Sequence, residues 1–450
     1  MARIFGTDGI RGYANVYPMT AELALKVGMA AAIHLSKNSK GTKRVLIGKD
    51  TRLSGYMFET ALTAGLTSMG KDVLLLGPMP TPAVAMLTRS MRADLGIMIS
   101  ASHNPYFDNG IKLFDKNGYK LSDEDENAIE ELLTKDLNEY LVKSDSIGKV
   151  ERLKESSGRY IEYVKSSFPS SCNLNKMKIV VDCANGSNYK IAPTVLYELG
   201  AEVVPMGISP NGLNINENCG STHIENIRSK VLETGADIGI SFDGDADRVL
   251  MVDEKANIID GDNILAIIAT KLKKDGKLHK NTVAGTVMAN MGFEKYLQSQ
   301  GINLKRTAVG DRYVSEAMEN EGYNLGGEQS GHVILKDYNT TGDGLLASLF
   351  ILSYILELNE PASKCCKLYN PMPQVLKNLR YNSATAENPL DNDNIKTYIA
   401  NKQKEYQDST RILVRKSGTE KLIRVMVEGE DSALINSIAE DLVAYINSCI

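Results

Sequence analysis

Six cysteines are few for 450 residues, and no two of them form a CxxC pair. Cys365 and Cys366 are adjacent and the rest are scattered, which excludes a disulfide framework or a cysteine zinc site and points to reduced thiols. Basic charge is not in surplus either. The formal net charge of −5 carries no footprint of a nucleic-acid or membrane-surface binder, so positive charge for an anionic ligand has to be concentrated locally. Long hydrophobic runs are absent. The longest, Leu345 to Leu356, falls short of the ~20 residues that span a bilayer and reads as a buried helix. The opening MARIFGTDGIRG has no apolar signal-peptide core, so a soluble cytoplasmic protein is expected.

What remains is ordinary globular composition, 43% hydrophobic and 24% charged. The length suggests about three domains at ~150 residues each. A pattern of strand, glycine-containing loop, helix, glycine and strand recurs from Lys43, from Lys178 and from Thr282. Each copy is one β-α-β unit, and three copies predict three related α/β domains with mixed sheets. A helix is expected from Thr20, with Thr20 as its N-cap. Asn109 to Tyr119 reads as a β-hairpin turning at Asn-Gly. Composition turns polar near Lys143 to Glu155, and Asn370-Pro371-Met372-Pro373 breaks the pattern again before a smaller C-terminal α+β domain. The boundaries predicted are 1–150, 151–255, 256–370 and 371–450.

Four clusters carry chemistry. The buried strand Leu95 to Ile99 runs into Ser100-Ala101-Ser102-His103-Asn104-Pro105, a polar turn where open α/β sheets place ligands. Asp243-Gly244-Asp245-Ala246-Asp247-Arg248 follows a second buried strand; three alternating carboxylates converge if that segment is extended, and their repulsion demands a cation. All-oxygen ligation favours a hard ion, magnesium first. Arg248 stands where a calcium EF-hand needs glycine, and strands flank the loop, so that reading is rejected. Glu328, Ser330 and His332, spaced by Gln329 and Gly331 and preceded by two glycines, suit a polyol such as a sugar ring. Arg415, Ser417, Gly418 and Thr419, with Arg424 beyond, form a phosphate cradle. At the N-terminus, three glycines around Asp8 and Arg11 offer another anion contact. Together these suggest phosphoryl transfer through a phosphoserine in a cleft shared by four domains. No Walker loop or kinase motif set is present, which disfavours ATP as donor.

The segments ISASHNP, FDGDADR, GGEQSGH and RKSGTE, in this order and spacing, resemble the α-D-phosphohexomutase superfamily along the whole chain. GTDGIRG, GKDTRLSGYM and GPMPTPA are most similar to its bacterial branch acting on glucosamine phosphates. The resemblance implies a four-domain, heart-shaped arrangement around one cleft and interconversion of glucosamine 6-phosphate and glucosamine 1-phosphate. It also implies a 1,6-bisphosphate intermediate and a product feeding amino-sugar cell-wall precursors. It selects Ser102 over Ser100 as the phosphoserine. It implies one magnesium ion on Asp243, Asp245, Asp247 and the Ser102 phosphate, and a hexose 1,6-bisphosphate or other activator to phosphorylate Ser102. Arg11 and Lys112 match positions near that phosphate, His103 positions the loop, and His332 or Lys112 transfers the proton. Glu328 and Ser330 hold sugar hydroxyls; Arg415, Ser417, Gly418, Thr419 and Arg424 hold the non-reacting phosphate.

The partner implied is a small phosphosugar, with neither nucleic acid nor membrane, and a homodimer is left open. Lys421 stands where the family shows proline, and Ala246 where the branch shows glycine. The second change is harmless provided residue 246 needs no positive φ. The alternatives are the same chemistry on glucose or mannose phosphates, and a metal-dependent sugar phosphatase.

Overall fold

The computed structural model describes residues 3–6, 8–38, 42–381, 389–407, 409–416 and 422–449. The chain forms two compact units, Met1–Ala289 with Gln300–Leu368, and Asn290–Ser299 with Tyr369–Ile450.

The first unit contains three sheets built on one plan. In the first, Arg44–Lys49 pairs in parallel with Asp72–Pro78 on one side and Leu95–Ile99 on the other. Leu95–Ile99 then pairs antiparallel with Asp108–Phe114. The second repeats this with Lys178–Asp182 between Glu202–Met206 and Ile238–Phe242, and Ile238–Phe242 antiparallel to Val249–Asp253. In the third, Thr282–Thr286 lies between Asn303–Thr307 and Leu325–Gly327, which pairs antiparallel with Val333–Leu335. The predicted β-α-β repeat is therefore extended by a fourth strand, and all three sheets are mixed. The strands Leu95–Ile99 and Ile238–Phe242 are buried at every residue, as their unbroken apolar runs require. Each of these third strands ends in a hairpin loop, and those loops carry residues 100–107, 243–248 and 328–332.

Extra strands widen the first sheet. Gly9–Tyr13 pairs with Asp108–Phe114, and Phe5–Gly6 pairs with Gly9–Tyr13. Val150–Arg152 adds to Asp72–Pro78 at the far edge, so this sheet runs past the predicted boundary at 150. The expected Asn-Gly hairpin is only half formed: Gly118 turns with φ +81, but the return arm amounts to a single bridge, Phe114 to Lys120.

Helix Ala21–Asn38 starts where predicted, with Leu23 N–H donating to Thr20 Oγ1 at 3.3 Å. It lies close against helix Gly55–Ser68 because Gly28 and Gly65 face the partner backbone, where a Cβ on Gly28 would stand 2.8 Å from Leu62 O. Helix Gly344–Leu358 is capped by Asp343 and buried over most of its length, as its apolar run predicts. Among the described residues no helix is long and apolar enough to cross a membrane.

The second unit is α+β. Leu422–Gly429 is the middle of three antiparallel strands, between Gln374–Arg380 and Thr410–Lys416. Helices Asp393–Glu405 and Ser432–Ser448 cover it, with Ile435, Ile438 and Leu442 in its core. Helix Met291–Ser299 also belongs here, although its flanking strands lie in the first unit. Met291 N–H donates to the buried Glu428 carboxylate at 2.9 Å, and Tyr296 stacks on Tyr369.

Candidate functional site

The three hairpin loops of the first unit meet. Ser102 sits in the left-handed region at φ +53, a conformation that costs an L-residue roughly 1–2 kcal/mol. Its surroundings over-determine it. Ser102 N–H donates to Ser100 Oγ at 2.9 Å, which gives Ser100 its supporting role. Arg52, fully buried, donates to Ser102 O at 3.1 Å and Asn104 O at 2.5 Å. Asn216 Nδ2 donates to the same two carbonyls, at 2.9 and 3.0 Å. Arg52 is itself paired with buried Asp50; burial pushes the Asp50 pKa up, against the pull of that guanidinium. The loop thus rests on a buried cation and an amide from the second sheet's loop.

Ser102 Oγ donates to Asp243 Oδ2 at 2.5 Å and lies 3.2 Å from His103 Nδ1. Burial, then Arg248 and Arg11, lowers the His103 pKa to about 4, so the ring is neutral and suited to orienting the hydroxyl. The metal loop can come this close because residue 244 is glycine; a Cβ there would lie 2.7 Å from Ser102 O.

Asp243, Asp245 and Asp247 are all buried, and each offers an oxygen within 4.8 Å of the others. They converge through a tight turn between antiparallel strands, not along an extended segment as the alternation suggested. Ala246 makes that turn at φ +58, so the proviso attached to its substitution for glycine is not met. Asp245 Oδ1 and Asp247 Oδ1 are buried without a hydrogen-bond partner among the described residues. Burial and the neighbouring Asp247 and Asp245 raise the Asp243 pKa well above the carboxylate range. Buried, unpartnered, mutually repelling oxygens are a donor set that fits a hard divalent cation.

Lys112 reaches into the same cluster from strand Asp108–Phe114. Its Nζ lies 2.8 Å from Asp245 Oδ2, 3.4 Å from Asp247 Oδ2 and 3.3 Å from Asp8 Oδ2. Burial opposes its charge, but Asp245, Asp8 and Asp247 outweigh that and raise its pKa, so it is an ammonium ion and not a base. Thr81 Oγ1 donates to Asp245 Oδ2 at 2.6 Å. Arg11 is paired with Asp8 and partly exposed.

The third hairpin loop joins this cluster through a bridge between Arg248 and His332. Glycine at 331 permits this approach, with φ +94 and a Cβ there falling 2.1 Å from Val249 O. His332 is 1% exposed; its Nδ1 lies 3.8 Å from Asp247 and its Nε2 3.6 Å from Asp311. Burial lowers its pKa, but the hydrogen bond to Asp247 and the charge of Asp311 win and raise it. Gly342 N–H, however, donates to Nε2 at 3.1 Å, which favours the neutral Nδ1–H ring; a direct bond is the tighter local constraint. Glu328 Oε1 accepts from Gly310 N–H at 3.1 Å, and Ser330 is exposed. Gln329 turns away to Asp260 Oδ2 at 3.3 Å, the cap of helix Gly261–Lys274.

In the second unit Arg415 and Arg424 stand directly opposite on neighbouring strands. Burial and then the Arg424 charge lower the Arg415 pKa. Ser417, Gly418, Thr419 and Lys421 lie outside the described residues.

Sequence reasoning missed Asp8, Arg52, Thr81, Asn216 and Arg248 as site residues. Asp8 and Arg248 stood inside quoted motifs, and Arg52 follows a parallel strand end, where a ligand-side role is general. Asn216 lies in an irregular stretch with no signal.

Comparison with known proteins agrees over the whole length. Residues 2–139, 158–257 and 260–372 match phosphoglucomutase/phosphomannomutase alpha/beta/alpha domains I, II and III, and residues 376–444 match the C-terminal domain. The phosphoglucosamine mutase of Paracoccus denitrificans is 54% identical over 444 residues, covering 99% of this chain and 98% of that protein. That of Zymomonas mobilis is 55% identical over 438 residues, covering 97% of each. A phosphoglucomutase/phosphomannomutase family protein from Burkholderia thailandensis shares the fold, with a TM-score of 0.84 at 23% identity over 99% of this chain and 97% of that one. From its first domain to its last, the chain belongs to the phosphoglucomutase/phosphomannomutase family of the α-D-phosphohexomutase superfamily.

Proposed function

We propose that this enzyme is a phosphoglucosamine mutase, interconverting glucosamine 6-phosphate and glucosamine 1-phosphate through phosphorylated Ser102. The observation that carries the chemistry is the 2.5 Å hydrogen bond from Ser102 Oγ to Asp243, which puts a hydroxyl of the serine loop on the carboxylate cluster. The near-full-length identity to phosphoglucosamine mutases supports the substrate.

In this reading an activator such as a hexose 1,6-bisphosphate first phosphorylates Ser102. The bond from phosphorus to Ser102 Oγ then breaks as a bond forms to a hydroxyl oxygen of the bound hexose phosphate. That hydroxyl's proton leaves to a base, giving the 1,6-bisphosphate and a free serine. The bisphosphate turns, its other phosphoryl passes to Ser102 Oγ, and the isomer departs. Asp243, Asp245, Asp247 and the Ser102 phosphoryl would hold magnesium, which when bound supplies charge neutralisation for the transferring group. Lys112 and Arg11 stabilise charge on that group, a role that permanently cationic side chains can fill. Lys112 is poorly suited to accept the proton because three carboxylates hold it charged, so His332 is the better base of the two, its Nε2 giving up the bond from Gly342 N–H to take the proton. The ring is buried and Ser330 is the exposed residue of its loop, so substrate approaches from that end. Glu328 and Ser330 take sugar hydroxyls, and Arg415 and Arg424 with the serine, glycine and threonine between them take the distal phosphate. A cytoplasmic location is part of this reading, in keeping with six free thiols.

The test is a rate comparison of glucosamine 1-phosphate with glucose 1-phosphate and mannose 1-phosphate, with magnesium and catalytic hexose bisphosphate. Preference for the amino sugar is the result expected. Preference for glucose or mannose would move the protein to another branch, and phosphate release without isomer would make it a phosphatase.

A further inference from the structure

The segment Gly77-Pro78-Met79-Pro80-Thr81-Pro82-Ala83 belongs to none of the four clusters that carry the proposed chemistry. It runs from the carboxyl end of strand Asp72–Pro78 into helix Thr81–Ser90, the side on which parallel strands place ligands. Thr81 is the first residue of that helix and is fully buried between two prolines. A helix start leaves its first N–H groups without partners of the regular kind. Here Pro82 has no N–H to satisfy, and Ala83 and Val84 donate back to Pro80 O at 3.0 and 3.2 Å. The Thr81 N–H instead leaves the helix and donates to Asp245 O at 2.9 Å, while Thr81 Oγ1 donates to Asp245 Oδ2 at 2.6 Å. One residue of the first sheet thus grips both the main chain and the side chain of one aspartate in the metal loop. The grip is itself anchored, because Nδ2 of the buried Asn339 donates to Pro82 O at 3.1 Å.

The two oxygens of Asp245 are treated unequally. Oδ2 receives two donors, the Thr81 hydroxyl and the Lys112 ammonium group at 2.8 Å. Oδ1 is buried with no hydrogen-bond partner among the described residues. With both donors on one oxygen, the carboxylate cannot turn about its Cβ–Cγ bond without breaking them, so the other oxygen keeps one direction. Lys112 alone would not secure this, since an ammonium group on a flexible stem can straddle both oxygens. Thr81 offers a single O–H on a β-branched side chain with restricted χ1. We propose that Thr81 is a positioning residue for the divalent cation: its hydroxyl pins Asp245 Oδ2 and so presents Asp245 Oδ1 to the metal. The inference rests on the reading of Asp243, Asp245 and Asp247 as magnesium ligands. Partners that stand one hydrogen bond behind a metal ligand set affinity by about 10–100-fold.

The experiment compares wild type with Thr81→Val, which keeps the shape and loses the hydroxyl, and Thr81→Ser, which keeps the hydroxyl and loses the methyl. Thr81→Ala repeats the loss of the hydroxyl with no added methyl, should the valine variant not fold. Magnesium binding to each full chain is read by calorimetry, with equal Ser102 phosphate content checked by mass spectrometry. Melting temperatures are taken in EDTA and at one fixed magnesium concentration. The expected result is magnesium affinity about tenfold or more weaker in Thr81→Val and close to wild type in Thr81→Ser. The magnesium concentration for half-maximal mutase rate rises by the same factor, and the magnesium-induced rise in melting temperature shrinks in Thr81→Val. Unchanged magnesium affinity, with melting lowered equally in EDTA and in magnesium, would make the hydroxyl merely structural and overturn the proposal. Failure of Thr81→Ser to restore affinity would move the effect from the hydroxyl to packing and overturn it too. If wild type binds no magnesium, the metal assignment falls and this inference with it. The calorimetric reading needs no turnover, so its failure is distinguishable from failure of the mutase assay.

Discussion

The serine loop and the metal loop are the same hairpin in two successive sheets, yet they are finished differently. Both follow a fully buried strand, and both place a non-glycine residue at positive φ, Ser102 at +53 and Ala246 at +58. The serine loop has its carbonyls saturated from within, by Arg52 and Asn216. The metal loop leaves two buried carboxylate oxygens unpartnered and crowds three carboxylates together. One loop is finished by protein hydrogen bonds; the other keeps a donor set that fits a cation. Strain in the first is held by protein hydrogen bonds, whereas charge repulsion in the second awaits a ligand.

Removing the nucleophile separates the two most sharply. Ser102→Ala is expected to lower kcat by about a thousandfold or more with an unchanged melting temperature. If Ser100→Ala does this and Ser102→Ala does not, the nucleophile is misassigned. Arg52→Leu tests the scaffold: it strands the buried Asp50 carboxylate and should cost about 3–5 kcal/mol in denaturant unfolding. A stable Arg52→Leu protein with normal turnover would show that the loop holds itself. Asp245→Asn tests the other loop. It should weaken magnesium activation on the order of tenfold or more, because a neutral amide replaces a charged oxygen ligand. An unchanged magnesium titration would remove this loop from metal binding.

Two smaller effects probe the frame around both loops. Glu126, buried between Arg312 at 3.3 Å and Arg3 at 3.5 Å, has its pKa raised by burial to about 7 against the pull of Arg312. Because the folded value lies above the unfolded one, its contribution is fully present below about pH 4.5 and is lost as pH rises through about 7. Glu126→Gln should flatten that part of the stability profile, read from melting temperatures at pH 5 and pH 8; an unchanged slope would refute the assignment. Ala246→Gly is expected to shift stability by less than about 1 kcal/mol. Relief of left-handed strain, ~1–2 kcal/mol, is offset by a lost buried methyl, ~0.8, and by a more flexible unfolded chain, ~0.4–1. Ala246→Val, with a branched Cβ at the same φ, should cost more than about 2 kcal/mol. The departure from glycine is thus nearly neutral even though residue 246 does adopt positive φ.

Much of the candidate site was legible because its residues are close in sequence. Ser100, Ser102 and His103 share one loop, announced by an apolar strand and an Asn-Pro turn; the three aspartates share another, announced by an apolar strand; and Glu328, Ser330 and His332 a third, announced by its glycines. The β-α-β repeats were legible for the same reason, since strand and helix periods are local. The fourth strand of the second and third repeats was not, because Val249–Asp253 and Val333–Leu335 gain their pairing only from the neighbouring strand. The helix Met291–Ser299 reads as part of the third repeat, and only its packing on Glu428 and Tyr369 assigns it to the second unit.

By itself, then, the sequence determined the local chemistry: which loops carry a hydroxyl, three carboxylates, a glycine-flanked Glu-Gln-Ser run and a cationic pair, and which runs must be buried. Tertiary structure alone decided what stands behind each loop. Arg52 lies fifty residues before Ser102 and Asn216 more than a hundred after it, and Lys112 reaches aspartates more than a hundred and thirty residues away. Such partners are selected by distance across packed sheets, and a buried charge or carbonyl takes whichever group the fold brings within about 3 Å.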